Sequence, residues 1–342
     1  MDEKITINDI AQACGVSIAT VSLVLNNRPG VAQETRNKVM EYAEGVGYVS
    51  RSSGAAARGR LSRLGLIIKT EPDDLPQANP FYSNVMLGIE QACRRMGISL
   101  LFSTLPVDEN NHPLELPYIL NNDALDGLLM VGALVDSTIT AACSKRSLPI
   151  VLVDAYSDTE TFDMVISDNF RAAYQAVEYL IQKGHRHIAL AGSEGNAYPS
   201  LRDRRNGYLR ALKENDIPDS YIAEFNINKN KGKGHAEIAR LLKENPQISA
   251  IFGINDDIAH SALQAVKEMG LSVPQDISIV GYDDTLWAQN ASPALTTMRV
   301  DTVSMGQAAV QLLSFRLDNP DAARMTLTIH PSLVERASVS SR

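Results

Sequence analysis

A small helical head followed by an α/β body of two doubly wound parallel-sheet lobes is the fold class this sequence predicts. Three observations carry it. Residues 6–48 place apolar side chains at helical spacing, interrupted by glycines and turn residues. Residues 49–62 are mostly small residues and arginines, with little to build a core. From Leu64 onward, short apolar runs alternate with amphipathic stretches, the pattern of parallel strands joined by helices. At 342 residues and 44% hydrophobic content, the chain has material for more than one domain and a sizeable core.

In the head, Thr6 precedes a helix with Asp9 three residues on, a capping-box variant. Ile10, Ala11 and Cys14 give that helix its apolar face, and Gly15 breaks it. Ser17 caps a second helix with Val21, Val24 and Leu25 apolar. A turn at 26–30 leads to a third helix with Val39, Met40, Ala43 and Val46 inward. The spacing Ala11, Gly15, Val21 is that of a helix-turn-helix, in which the second helix enters the DNA major groove. An ordinary helical hairpin has the same short spacing.

In the body, strands are expected at 64–69, 99–103, 127–131, 150–153, 187–191, 223–227, 250–253 and 277–281. Helices are expected near 82–97, 136–146, 169–184, 203–215, 232–245 and 256–269. The domains are therefore a head at 1–48, a hinge at 49–62 and a two-lobed body at 63–342. The polar stretch 154–163 is read as the crossover between lobes. Lobe one takes about 63–154 and the return segment 293–318, and lobe two takes about 163–285 with the C-terminal segment.

The net charge of −8 is unevenly spread. Eight basic side chains face six acidic ones in residues 1–63, so this segment carries +2 and the remainder −10. That suggests a polyanion-binding head on an acidic body. Cys14, Cys93 and Cys143 lack metal-ligand spacing and are expected to be buried free thiols. No secretory signal pattern opens the sequence and no run of about 18 apolar residues occurs, so a cytoplasmic protein without a membrane span is expected.

Beyond the spacing, whole strings carry a resemblance. Thr6-Ile7-Asn8-Asp9-Ile10-Ala11, Gly15-Val16-Ser17, Thr20-Val21-Ser22, Val24-Leu25-Asn26, Glu34-Thr35-Arg36 and Gly47-Tyr48 resemble the head of the lac-repressor/galactose-repressor family. Asn79-Pro80-Phe81-Tyr82, Gly184-His185-Arg186-His187-Ile188, Asn255-Asp256 and Val280-Gly281-Tyr282-Asp283-Asp284 continue it, through Pro293, Leu295-Thr296-Thr297 and Gly306. It covers nearly the whole chain in order. It implies a repressor with a periplasmic-binding-protein-like body, working as a homodimer on a roughly palindromic double-stranded operator. The dimer contact is expected near 85–97 and 302–318.

The resemblance places Ser17, Thr20 and Ser22 where the family contacts phosphate, with Thr6 counted alongside them. Ile18 and Ala19 fall at the base-reading positions, and Asn26 and Thr35 where flanking elements approach the backbone. Two departures stand out. Leu23 replaces the family's usual arginine, which forks onto guanine, and leaves only an apolar contact. In the hinge, Ser50 and Arg51 replace Pro-Asn, and Ala57 replaces the leucine that wedges into the minor groove.

For the body, ligands of parallel sheets sit at the carboxyl ends of strands. Asn79, Phe81 and Tyr82 follow the first strand, Asp154 ends the fourth, and Asp168 opens lobe two. Arg202 and Arg204 both precede Gly207-Tyr208, where the family places an arginine on ligand oxygens, and spacing does not choose between them. Asn255, Asp283 and Trp287 complete the set; Trp287 either stacks on a sugar or packs in the core. Amides and carboxylates suit a polyol, because they offer and accept paired hydrogen bonds. The effector is expected to be a mono- or disaccharide, with a nucleobase or nucleoside as the alternative. A transport-type binding protein is a further alternative for the body alone. The adjacent pairs Asp256-Asp257 and Asp283-Asp284 do not face each other as catalytic pairs must, and His185-x-His187 lacks a third metal ligand. No enzyme activity, cofactor or metal is expected.

Overall fold

The computed structural model describes residues 6–25, 30–46, 61–70, 80–121, 124–144, 148–157, 162–228 and 234–342. The chain divides into two compact units: Met1–Ser62 with Ser314–Asp321, and Arg63–Leu313 with Ala322–Arg342. Residues Asn26, Arg51, Ala57 and Asn79 lie outside the described residues.

Among the described residues of the head there are three helices: α1 (Ile7–Cys14), α2 (Ile18–Leu25) and α3 (Gln33–Gly45). The capping box at the start of α1 is formed. The Thr6 backbone N–H donates to Asp9 Oδ2 at 2.7 Å, and the Asp9 N–H donates back to Thr6 Oγ1 at 3.4 Å. Gly15 ends α1 with φ 67°, a left-handed conformation that a side chain would strain. Axes of α1 and α2 meet at 107°, within the roughly 90–120° of a helix-turn-helix. Ile10, Ala11, Cys14, Val21, Val24, Val39 and Ala43 close one small core. Met40, expected inward, is 39% exposed, and Val46 is only half-buried. The buried stripe of α3 runs through Val39 and Ala43, four residues apart, and Met40 sits about 100° around the helix from Val39.

The body holds two six-stranded sheets. In sheet one the order is β13-β7-β5-β3-β1-β2, all neighbours parallel: β1 (Arg63–Thr70), β2 (Ser99–Pro106), β3 (Gly127–Val131), β5 (Ile150–Val153), β7 (Asp163–Ser167) and β13 (Thr326–Ile329). In sheet two the order is β14-β12-β11-β10-β8-β9: β8 (Ile188–Ala191), β9 (Tyr221–Ala223), β10 (Ala250–Gly253), β11 (Ser278–Asp283), β12 (Thr296–Arg299) and β14 (Ser332–Val334). Only β14 runs antiparallel there, against β12. A two-stranded parallel pair joins β4 (Leu134–Val135) to β6 (Tyr156–Ser157). The helices are α4 (Pro80–Met96), α5 (Ser137–Ser144), α6 (Asn169–Gln182), α7 (Pro199–Glu214), α8 (Gly234–Glu244), α9 (Asp256–Glu268), α10 (Leu286–Asn290) and α11 (Thr302–Asp318). Central strands β3, β5, β8 and β10 are buried at every residue, as helix-covered parallel sheets require. All three cysteines are buried and none is in a disulfide.

The two-lobed architecture matches the expectation, but strand membership corrects the lobe boundaries. Residues 163–167, expected to begin lobe two, pair with β5 and β13 in sheet one. Their apolar run is only Met164-Val165-Ile166, too short to mark a strand beside a polar loop. Residues 296–299, expected to return to lobe one, lie between β11 and β14 in sheet two. The C-terminal segment, expected wholly in lobe two, gives β13 to sheet one and β14 to sheet two. The strand expected at 223–227 is observed at Tyr221–Ala223. Return to lobe one is made by α11, whose Gly306 lies so close to α4 that a methyl group there would overlap the Val85 carbonyl oxygen.

The chain therefore passes between the sheets three times, after Ser167, Arg299 and Ile329. Two of these crossings are bonded together: the Asp168 N–H donates to the Ile329 carbonyl at 2.9 Å.

Candidate functional site

On α2, the buried residues Val21 and Val24 occupy one side and Ile18, Ala19 and Leu23 the other. At 100° per residue, positions 18, 19, 22 and 23 span about 140° of the helix, a single face. Ile18 is 50% exposed and Leu23 37%, which leaves two large apolar side chains in solvent on a helix whose opposite face builds the core. Ser17 accepts from the Thr20 N–H at 3.0 Å, and the two hydroxyls are 2.8 Å apart. Ser17 thus caps α2 and lies at its N-terminus, where helix amides favour an anion. Thr6 lies at the start of α1, and Thr35 is half-buried in the first turn of α3.

In the body, one cavity of about 660 Å³ is lined from both lobes. Lobe one contributes Lys69, Phe81, Tyr82, Asn111 and Asp154; lobe two contributes Tyr198, Arg204, Asn255, Asp283 and Trp287, with several neighbours. Both aspartates lie at carboxyl ends of strands in strained backbone, Asp154 with φ 46° and Asp283 with φ 107°.

Arg204 is the most constrained of these side chains. It is 5% exposed, and its guanidinium lies over the Tyr282 ring, 3.6 Å from the centroid. Nε donates to Asn169 Oδ1 at 2.9 Å, one terminal nitrogen to the Ile254 carbonyl at 2.8 Å, and the other to Asp283 Oδ1 at 3.3 Å. Burial raises the Asp283 carboxyl, while the Arg204 charge 3.3 Å away favours its ionised form. Across the cavity, the Tyr82 hydroxyl donates to Asp154 Oδ2 at 3.0 Å. Burial also raises Asp154, with Arg204, Tyr82 and Lys69 pulling it back. Tyr198, at the start of α7, donates from its hydroxyl to the Asp154 and Ala133 carbonyls at 3.0 and 3.2 Å and so ties lobe two to lobe one. The Lys69 ammonium donates to Asn111 and sits 5.4 and 5.5 Å from the Tyr82 and Tyr198 ring centroids.

Several expected residues are placed differently. Of the two arginines left open by the sequence, Arg204 faces this cavity, whereas Arg202 is exposed and lines an adjoining 300 Å³ pocket. Two positions along a helix are 200° apart, so only one can face inward. Asp168 does not line the cavity. Its carboxylate caps α6 through the Arg171 N–H at 3.2 Å and meets His330 Nδ1 at 3.2 Å, at the crossing between lobes. Asn255 lines the cavity, but its Oδ1 is committed to capping α9 through Ile258 N–H at 2.9 Å. Phe81 and Tyr82 are 9% and 6% exposed and pack edge-to-face, so neither offers an open ring. Trp287 is 56% exposed. The paired aspartates diverge. Asp284 points to Arg299 and Arg336 while Asp283 meets Arg204, and the buried Asp256 accepts from Thr285 N–H and Thr297 hydroxyl, both at 2.6 Å. His185 is fully buried between Ser249 and the Ser340 carbonyl, where it pins the C-terminal tail. Lys69, Asn111 and Tyr198 escaped the sequence reading. Lys69 alone left a signal, as a charge at the carboxyl end of an apolar strand.

Head and body together define the class: a helix-turn-helix transcription regulator carrying a periplasmic-binding-like domain. Residues 6–50 match the model of bacterial regulatory proteins, lacI family, and residues 177–339 that of the periplasmic binding protein-like domain. The ribose operon repressor of Haemophilus influenzae is 32% identical over 98% of this chain and 99% of its own. HTH-type transcriptional regulator DegA of Bacillus subtilis is 30% identical over 98% of both chains. Among solved structures, the transcriptional regulator CelR–cellobiose complex superposes with a TM-score of 0.69 at 25% identity, covering 98% of this chain and 99% of that one. The lac repressor dimer bound to operator and the anti-inducer ONPF gives 0.66 at 25%, covering 99% and 100%. The chain belongs to the lacI family of bacterial regulatory proteins. Among the described residues, no single helix is long and apolar enough to cross a membrane.

Proposed function

We propose that this protein is a cytoplasmic, homodimeric repressor that releases or grips a roughly palindromic operator according to whether a neutral sugar occupies the 660 Å³ cavity. The observation that carries the effector assignment is the convergence of Asp154 from one lobe and the Arg204–Asp283 pair from the other on that cavity. Carboxylates accept pairs of sugar hydroxyls, and a guanidinium donates to them. The balance of charged groups supports a neutral effector over an anionic one. Lys69 and Arg204 face Asp154, Asp256, Asp257 and Asp283, so the lining carries more carboxylates than cations. Phe81 and Tyr82 pack edge to face and are 9% and 6% exposed, which leaves little ring face to hold a purine between these two. The CelR structure holds cellobiose and a regulator from Enterococcus faecium holds ribose, which supports a sugar here.

A ligand bridging the two lobes favours one angle between them, and shifts the equilibrium only by its differential affinity for the two states. The coupling to operator binding is expected at about 1–3 kcal/mol. In the head, the proposed DNA contacts are Ser17, Thr20 and Ser22 to phosphate and Ile18, Ala19 and Leu23 to bases. For the dimer contact, the exposed Leu87 on α4 and Phe102 on β2, an edge strand of sheet one among the described residues, are the residues of choice.

Thermal-shift titration of the full chain with neutral sugars, sugar phosphates and nucleobases tests the effector reading. A rise in Tm with a neutral sugar supports it, and a response confined to nucleobases or phosphates overturns it. Sedimentation of the wild type and Phe102→Glu tests the dimer.

A further inference from the structure

We propose that the effector has two rings, and that Trp287, His260 and Gln264 form an outer subsite for the second ring, which makes the ligand class a disaccharide or glycoside. This rests on the sugar reading of the same cavity.

The lining falls into two groups by depth. Asp154 and Arg204 are 6% and 5% exposed, and every one of the inner charged groups already has a protein partner. The second group lies on α9 and α10 and opens to solvent. His260 and Gln264 are one helical turn apart, with Asp257 and Ser261 on the same face, and all four line the cavity. Trp287 stands beside them, its ring centroid 5.9 Å from that of His260 at an interplanar angle of 47°.

Two features of this group ask for a ligand with mixed chemistry. Trp287 presents an apolar ring in water at the cavity mouth, with 56% of its surface exposed. The C–H face of a pyranose covers such a ring, whereas a solvated ion or a free amino group does not. His260 supplies the polar half. Its Nε2 lies 3.2 Å from the side-chain amide of Gln264, so the two side chains present one polar edge beside the Trp287 ring. An amide both donates to and accepts from ring hydroxyls, and Gln264 is exposed at the cavity. An apolar plate beside polar side chains fits a sugar ring, with face and hydroxyls both used. A monosaccharide anchored at Asp154, Arg204 and Asp283 leaves this group unoccupied; a second ring fills it.

Trp287 is the only tryptophan of the chain, so its fluorescence reports on this subsite alone. The full-length protein is titrated with glucose and cellobiose, galactose and lactose, and ribose, by calorimetry and by tryptophan emission in parallel. The expected result is a disaccharide bound roughly tenfold or more tightly than its own monosaccharide unit, with an emission change that the monosaccharide does not produce. Trp287→Ala and His260→Ala are expected to weaken the disaccharide by about tenfold while changing monosaccharide binding less than about twofold, and Trp287→Phe to retain most of the affinity. The proposal is overturned if a monosaccharide binds as tightly as any disaccharide, if it moves the emission equally, or if either alanine variant weakens both ligands alike. If no sugar of the panel binds the wild type, the sugar reading itself fails, and the two-ring reading fails with it.

Discussion

Arg204 and Asp283 form a buried ion pair, 3.3 Å from guanidinium nitrogen to Oδ1, with side chains only 6% and 11% exposed. The pair joins the first turns of α7 to the end of β11, and Tyr282 supports the guanidinium from below. It is both a structural element and the centre of the proposed effector site.

Removing one partner therefore has two effects. Asp283→Asn leaves the Arg204 charge buried without its counter-ion, which is expected to cost about 3–5 kcal/mol of stability in urea unfolding. Operator binding in gel shifts is expected to persist below the new Tm, without response to effector. Arg204→Met combined with Asp283→Asn removes both charges and is expected to regain most of the stability but none of the response. A double variant as unstable as the single one would mean that the pair does more than neutralise itself.

Asp256 gives the stability of the body a pH dependence of defined sign. Burial lifts its carboxyl from 3.8 to about 6, against the hydrogen bonds from Thr297 and Thr285. The folded state thus holds a proton that the unfolded chain has already released between these values. The resulting stability is complete below about pH 4 and is lost as pH rises through about 6, a change of about 3 kcal/mol for two units. Asp154 and Asp283 shift in the same direction, so wild type must be compared with Asp256→Asn. The stability gap between them is expected to narrow by that amount from pH 4 to pH 7. A gap that stays constant would place the proton elsewhere.

Gly306→Ala tests the contact that returns the chain to lobe one. Alanine gains up to about 1 kcal/mol of helix propensity over glycine. The new methyl group, however, overlaps the Val85 carbonyl oxygen, and backbone cannot move aside as a side chain can. Overpacking costs about 1–3 kcal/mol, so the variant is expected to be less stable than wild type by denaturant midpoint. A stabilised variant would show that α4 and α11 separate easily.

Leu23→Arg restores a guanidinium fork on the exposed face of α2. Binding-site selection is expected to enrich one guanine per half-site, with about 1–3 kcal/mol of discrimination at that position. Sites identical to those of the wild type would remove residue 23 from the base-reading face.

The body shows where sequence reading stops. Asp154 and Asp283 were legible because each ends a long apolar run, and strand ends carry ligands. Lys69 ends such a run too, but a single lysine is ordinary at a strand end. Tyr198, Asn111 and His260 left no local mark, since their placement depends on neighbours 42 to 65 residues away or on cavity shape. Between Arg202 and Arg204 the choice was one of helical phase, which the flanking Gly207-Tyr208 did not fix.

By itself the sequence determined the head helices and the central strands and helices of the body, in order. The capping box of Thr6 and Asp9, the break at Gly15 and the fully apolar strands are local features, set by hydrogen bonds and burial within a few residues. Which sheet a strand joins is not local. The segment Asp163–Ser167 reads as the start of lobe two yet pairs with β5, and Thr296–Arg299 reads as a return to lobe one yet pairs with β11. Hydrophobic periodicity states that a strand is buried, not beside what. Tertiary structure alone decided the pairing of Arg204 with Asp283 and the use of Asp168 as a cap between crossings, because a buried charge is stable only where the whole chain brings its partner.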